Sequence, residues 1–229
     1  MTDIILSVHR SSWSAPIQHG SVWDKNKAMV KVRDKILKRD NYTCQGCGWR
    51  AKNFQEIHHK NHNHGDFRES NLEVLCPLCH QVFHLSTASI SSGGYLIWLP
   101  EISQAQLNRL LFPLFSTLKS GQAHPFFSVA KAVYTILEMR KVFLENQIGR
   151  SDPGVFGQML LNLSKEEYEN RHKTMSAIKM MANPSRFETE IDYWKAMIDK
   201  EKTPEQWLEW TKSLPFPQNE EGNQTSSKE

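Results

Sequence analysis

A chain of 229 residues, 39% hydrophobic and 23% charged, has room for one compact body with a small embedded module, or for two modest domains. This composition excludes fibrous and wholly disordered classes, and no apolar run approaches the length that spans a bilayer. The net charge of +3 hides an asymmetry: residues 24–50 hold eight Lys/Arg against three acids, and residues 185–229 hold six against ten. A basic front of this kind points to a polyanion or an acidic partner.

In chain order, MTDIILSVHRSSW holds only three consecutive apolar residues. That is too short for the core of a secretory signal, so a cytoplasmic protein is expected. Residues 1–23 read as an irregular arm anchored by Ile4, Ile5, Leu6, Val8, Trp13 and Trp23. Asp24 can cap a helix to about Arg39 with Ala28, Met29, Val32 and Ile36 on one face. Lys27, Lys31, Lys35 and Lys38 recur on the opposite face, either as a solvated surface or as contacts to nucleic acid. A metal module follows over 40–85, then a strand from Tyr95 to Leu99 stopped by Pro100. Ser103 caps a helix carrying Leu107, Leu110, Leu111, Leu114, Phe115 and Leu118, which Pro113 should kink or split.

A long helix over about 126–148 is expected to bury Val129, Val133, Ile136, Leu137, Phe143 and Leu144, with Gly149 as its stop. Asp152-Pro153 opens a short helix through Leu163. Ser164 and Glu167 make a capping box for the next, which should run to just before Asn183-Pro184. Phe187, Ile191, Trp194 and Ile198 define another amphipathic helix, and Thr203-Pro204 opens a last one with Trp207, Trp210 and Leu214. The tail after Pro217 lacks apolar residues and should be disordered. The organisation expected is an arm and basic helix over 1–39, the module over 40–85, a helical body over 86–217 and a tail over 218–229.

The chemistry sits in residues 42–84. The four cysteines, Cys44, Cys47, Cys76 and Cys79, form two C-x-x-C pairs with none to spare. In a reducing compartment such pairs bind metal rather than form disulfides, and two knuckles close one tetrahedral zinc site; a redox role is the rival for either pair alone. The 28 residues between Cys47 and Cys76 leave room for a hairpin. Within and after it lie His58-His59, Asn71, His80 and His84. His80 and His84, four apart on a helix, point the same way, as two ligands of one ion must. Adjacent histidines on a strand point to opposite sides, so only one of His58 and His59 can share that ion. Asn71 can orient an imidazole through its amide. His58 or His80 could instead enter an alternative zinc shell, while His62 and His64 read as solvent-facing loop residues.

The order C-x2-C, HH, N, C-x2-C-H-x3-H resembles the HNH endonuclease superfamily over about residues 40–85. The resemblance implies a ββα-metal fold, His58, His80 and His84 as ligands of a catalytic metal, His59 as general base, and Asn71 as the residue fixing the base loop. A structural Zn²⁺ and a second divalent ion such as Mg²⁺, Mn²⁺ or Ni²⁺ would follow, with a neutral imidazole taking the proton of the attacking water near neutral pH.

A second resemblance spans about residues 1–200. ILKRDNYTCQGCG, YLIWLPEISQAQLNRLLF, SDPGVFGQMLL and NPSRF, in that order, are similar to the IcmJ/DotN family of type IVB (Dot/Icm and I-type conjugative) secretion systems. It implies a soluble zinc-binding subunit of a coupling complex, bound to the coupling ATPase at the cytoplasmic face of the inner membrane, without membrane insertion. In the effector-secreting members of that family the HNH histidines are often lost, whereas His58, His59, Asn71, His80 and His84 are all present here. The fold expected is α+β, a zinc-bound HNH (ββα-metal) module embedded in a mainly α-helical body. Nuclease activity and DNA as a partner are left open. The alternatives are a free-standing metal-dependent HNH endonuclease and a zinc-dependent nucleic-acid-binding protein without catalysis.

Overall fold

The computed structural model describes residues 1–8, 27–63 and 66–201, with the side chains of 27–29, 31 and 199–201 outside the description. The readings at Trp13, Trp23, Asp24, His64, the helix of Trp207, Trp210 and Leu214, and the tail lie outside it too.

Helix α1 (Lys27–Arg39) precedes an antiparallel hairpin of β1 (Glu56–His59) and β2 (Leu72–Leu75). The register sets Ile57 opposite Val74 and His59 opposite Leu72. Strand alternation puts these on one face, where Ile57, Leu72 and Val74 pack with Ile36 and Leu37 of α1 in a small core. The other face, with His58 and Leu75, turns toward the main core. Short helix α2 (Pro77–His80), a 3-10 turn (Gln81–Phe83) and α3 (Leu85–Ile90) follow directly.

The remainder combines a second two-stranded antiparallel sheet, β3 (Gly94–Trp98) with β4 (Ile178–Ala182), and five helices: α4 (Gln104–Ser120), α5 (Phe127–Ile148), α6 (Pro153–Leu161), α7 (Lys165–Thr174) and α8 (Glu188–Glu201). The class is α+β. One hydrophobic core joins the cysteine knuckles to this body: Cys44, Cys47, Cys76 and Cys79 belong to the same cluster as Leu107, Phe112, Phe115 and Trp194. Its spine is an aromatic column. Trp49 stacks on Phe112 at 4.1 Å and 8°, and Phe112 meets Trp194 edge-on at 4.6 Å. The first residues are sewn across the same junction, with Thr2 N–H donating to Gln45 O (2.8 Å) and Ser7 N–H to Val82 O (3.0 Å). Arg171 of α7 donates to Leu6 O (3.0 Å) and Ser7 Oγ (2.6 Å).

Caps behave as the sequence leads one to expect. Ser103 with Gln106, and Ser164 with Glu167, close full capping boxes, and Asp152 accepts from Val155 N–H at the start of α6. Of the kink or split expected at Pro113, the split does not occur: α4 is one helix through it. An interior proline costs about 3 kcal/mol, and here it is offset by burying Leu110, Leu111, Phe112, Leu114 and Phe115 around it.

In α5 the buried residues are Ala130, Leu137 and Leu144, a narrow seam of one residue every seven. Val129 (56% exposed), Ile136 (54%) and Phe143 (46%), expected in the core, lie outside that seam. α5 contacts β3 and α4, and Val129, Ile136 and Met139 on its outer side stay exposed. Lastly, the helix opened by Ser164 ends at Thr174, and residues 178–182 form β4 instead. The five residues Ile178–Ala182 are too few to be settled by periodicity, and the edge of β3 supplies the backbone partners that decide them.

Truncation of the central ring, Phe112→Ala, should cost about 3–5 kcal/mol of stability, because it removes the contact shared by knuckle and body. Denaturant unfolding of the zinc-loaded protein measures this; a loss below about 1 kcal/mol would mean that the column merely fills space.

Candidate metal centres

The first knuckle is a tight loop closed by the Thr43–Arg50 bridge, with Cys44 N–H donating to Trp49 O and Gly48 N–H to Cys44 O. Gly48 has φ +75°, a left-handed conformation that costs side-chain-bearing residues about 1–2 kcal/mol. The second knuckle is a helix start: Cys76 caps α2, Pro77 takes the first position, and Cys79 N–H donates to Cys76 Sγ at 3.4 Å. In the first, Cys47 N–H donates to Cys44 Sγ at 3.5 Å. Each turn therefore aims an amide at a sulfur, which favours the thiolate.

All four sulfurs are buried and lie within 4.8 Å of one another, with Cys47 Sγ and Cys76 Sγ 3.7 Å apart. Zinc–sulfur bonds of about 2.3 Å at tetrahedral angles put sulfurs about 3.8 Å apart, and a disulfide needs about 2.05 Å. The spacing suits an ion and not a covalent bond. Hydrogen bonds from Cys47, Cys76 and Cys79 hold the Cys44 thiol far below the ordinary thiol range, whereas burial pushes Cys76 up and hydrogen bonding with Cys44 pushes Cys79 up. Protons crowded among four buried sulfurs are what a dication displaces, so the cluster is able to hold zinc.

One supporting residue was missed by the sequence reading. Asn108 of α4 donates from Nδ2 to Cys79 Sγ (3.2 Å) and to Leu78 O (3.0 Å). Gln104 Nε2 in turn donates to Asn108 Oδ1 (2.8 Å) and to Met180 O (2.9 Å), and Met180 N–H donates to Gln104 Oε1 (2.7 Å). The relay runs from β4 to the metal cluster through two amides buried on the apolar face of α4. The available signal was two amides four apart beside Leu107 and Leu111, where an isolated helix would place apolar residues.

The second cluster lies on the β1–α2 side. Ring nitrogens of His58, His80 and His84 all lie within 4.8 Å of one another, with His80 Nε2 and His84 Nε2 3.2 Å apart. Tetrahedral zinc–imidazole bonds of about 2.0–2.1 Å put two nitrogens about 3.3 Å apart, so this pair already has an ion's spacing. His80 and His84 do not share one α-helix; the 3-10 turn Gln81–Phe83 intervenes, yet their rings converge at 4.8 Å. His58 stacks on Phe83 at 4.4 Å, which fixes its ring plane. Glu56 Oε2 lies 2.5 Å from His80 Nδ1. A carboxylate there keeps the proton on Nδ1 and leaves Nε2 directed at His84, as in a carboxylate–histidine–metal arrangement.

His59 is on the α1-facing side of β1, 3% exposed, with its ring 5.9 Å from that of Phe67. It is not drawn into the imidazole cluster. Asn71 clamps the intervening loop: its Oδ1 accepts from Asn61 N–H (3.0 Å), and its Nδ2 donates to Asn61 Oδ1 (2.9 Å) and Asp66 O (3.0 Å). His62, expected in solvent, is half-buried with its ring 5.5 Å from His58 and 6.1 Å from His84. Of the lysine stripe, Lys35 pairs with Glu69 at 2.5 Å and Lys38 is exposed; the side chains of Lys27 and Lys31 lie outside the description. Arg39 bonds Glu69 O and Leu72 O, so part of this basic face ties α1 to β2.

Fold and site together define a mixed α+β protein organised round a buried four-cysteine cluster able to hold a metal, with an imidazole cluster between the adjoining hairpin and the turn that follows it. No protein-family model matches the chain. The chain is 33% identical over 166 residues to the type 4 apparatus protein DotN of Legionella pneumophila, covering 71% of this chain and 77% of that protein. It belongs to the DotN family.

Asn108→Ala should weaken zinc binding at the cysteines by about 10–100-fold, the usual effect of losing an outer partner of a ligand. Competition with a chromophoric chelator reads this directly, and an unchanged affinity would show that the relay only fills the core.

Proposed function

We propose that this protein is a zinc-stapled subunit of a type IV secretion apparatus, held in the coupling complex by the coupling ATPase at the cytoplasmic face of the inner membrane. The observation that carries the reading is the identity with DotN, spread over most of both chains. Two features support an adaptor role. No helix among the described residues is long and apolar enough to cross a membrane, which is compatible with attachment through partners. The outer face of α5 offers Val129, Ile136, Met139 and Phe143, with Met159 of α6 also exposed, an apolar surface suited to a helical or extended segment of the ATPase.

A second reading is favoured by the imidazole cluster and the Asn71 clamp: residues 40–85 form an HNH (ββα-metal) module able to hydrolyse phosphodiester bonds. His58, His80 and His84 would hold the divalent ion, which when bound supplies positive charge to a scissile phosphate. The chain's own part is to hold those rings by Phe83 and Glu56, to tie Asn61 and Asp66 together through Asn71, and to accept a water proton at His59. Lys38 and its neighbours on α1 would meet the nucleic-acid backbone.

Affinity purification of the full-length protein from its native host should bring down the coupling ATPase, and Ile136→Asp with Met139→Asp should abolish the capture without loss of zinc. Recovery of the protein alone, or with DNA only, would overturn the adaptor reading. For the second reading, plasmid nicking is followed with Mg²⁺, Mn²⁺ and Ni²⁺. His59→Ala should lower the rate by about 10²–10⁴-fold; wild type and variant equally inert in every metal would end it.

A further inference from the structure

We infer that the groove between the N-terminal residues, the start of α4 and the α7–β4 turn binds a carboxylate carried beside an apolar group, with Lys179 and the first amides of α4 as its partners. The site lies apart from both metal clusters and from the apolar face of α5, so it goes beyond the adaptor reading and does not depend on it.

The groove encloses about 600 Å³, within the range of about 300–1,000 Å³ usual for small-ligand sites. Ile4, Leu6 and Ile102 line it as buried residues, and Ile178 as a half-buried one. Two cations share this apolar lining. Lys179 of β4 is only 5% exposed, and Arg171 of α7 is half-buried. Neither forms an ion pair with an acid among the described residues. Lys179 donates to Ser176 O, which uses one of the three N–H groups of an ammonium. Glu101, the acid whose charge reaches Lys179, is held at 2.5 Å by Arg140. Asp3, the other acid on the groove, is exposed and pairs with neither cation. An ammonium buried in apolar surroundings without a counter-charge is costly, and an anion that enters the groove removes that cost.

The start of α4 supplies the remaining donors. The capping box uses the N–H groups of Ser103 and Gln106, and Leu107 N–H donates to Ser103 O. The N–H groups of Gln104 and Ala105 find no acceptor among the described residues, and both residues line the groove. Lys179 is held beside them. Its neighbour Met180 donates from N–H to Gln104 Oε1 (2.7 Å) and accepts at O from Gln104 Nε2 (2.9 Å). The partial positive charge of a helix start thus adds to a buried ammonium that is independent of it.

The donor set selects the anion. Phosphate is gripped best by an uncommitted guanidinium fork. Arg171 already donates to Leu6 O, Ser7 Oγ and Tyr168 O, so it offers charge and no open fork. An ammonium and two successive amides match the two oxygens of one carboxylate, and the isoleucines and Leu6 accommodate an apolar group next to it.

The test is a titration of the ¹⁵N-labelled, zinc-loaded, full-length protein, read from amide chemical shifts. The probes are N-acetyl-leucine, the free-acid peptide acetyl-Gly-Gly-Leu-Leu, the same peptide as its C-terminal amide, and inorganic phosphate. Both acids should move the Gln104 and Ala105 amide resonances downfield in a saturable way, and the peptide amide should leave them in place. Tighter binding of the peptide acid assigns the carboxylate to a protein C-terminus; equal binding assigns it to a free organic acid. Lys179→Met keeps the buried stem and removes the amine. It should weaken either acid by about 10–100-fold, the usual effect of losing a hydrogen bond to a charged group, with cysteine-bound zinc unchanged. The assignment is overturned by no saturable shift with either acid, by phosphate binding more tightly than both, or by an affinity indifferent to Lys179→Met. Should that variant lose its fold, the comparison of acid with amide in the wild type decides alone.

Discussion

Bringing four buried cysteine sulfurs within 4.8 Å of one another, where one cation can bridge them, is the constraint on which the rest of this structure depends. The two knuckles come from different kinds of backbone, a left-handed loop at Gly48 and a helix start at Cys76. Neither has an extensive core of its own; the small cluster beneath the hairpin holds only Ile36, Leu37, Ile57, Leu72 and Val74 as fully buried members. A metal that bridges them stabilises the folded state by binding free energy that the unfolded chain cannot recover. Everything on the hairpin, including the imidazole cluster, inherits its placement from that closure, because β2 leads directly into Cys76.

The cysteine cluster is also the joint between module and body. The amide relay from Met180 through Gln104 and Asn108 ends on Cys79 Sγ, and the aromatic column from Trp49 through Phe112 ends on Trp194. One path is polar and directional, the other apolar; both cross from the knuckles into α4. Residues 1–8 cover the seam from outside, bonding to Gln45, Val82 and α7. Among the described residues, this arrangement leaves an apolar side of α5 exposed, away from the cysteine cluster's hydrogen-bonded relay.

Local rules carried much of the reading. Cysteine spacing announced the tetrahedral cluster, the Ser103 and Ser164 boxes placed two helix starts, and Phe187, Ile191, Trp194 and Ile198 are all buried as their spacing implies. What failed depended on partners distant in sequence. β4 is a strand because β3 lies beside it, and Val129, Ile136 and Phe143 of the α5 stripe are exposed because its neighbours pack chiefly on the side of Ala130, Leu137 and Leu144. At the site, Asn108 lies 29 residues from Cys79, and no spacing rule connects an amide on one helix to a sulfur on another.

The most direct test of the joint is native-state hydrogen exchange on the full-length protein with zinc bound and with zinc chelated. If the cluster organises both sides, chelation should remove amide protection from residues 42–50, from 72–80 and from α4 together, as one cooperative unit. Protection lost from the knuckles alone, with α4 unchanged, would contradict the account and make the zinc module an independent appendage.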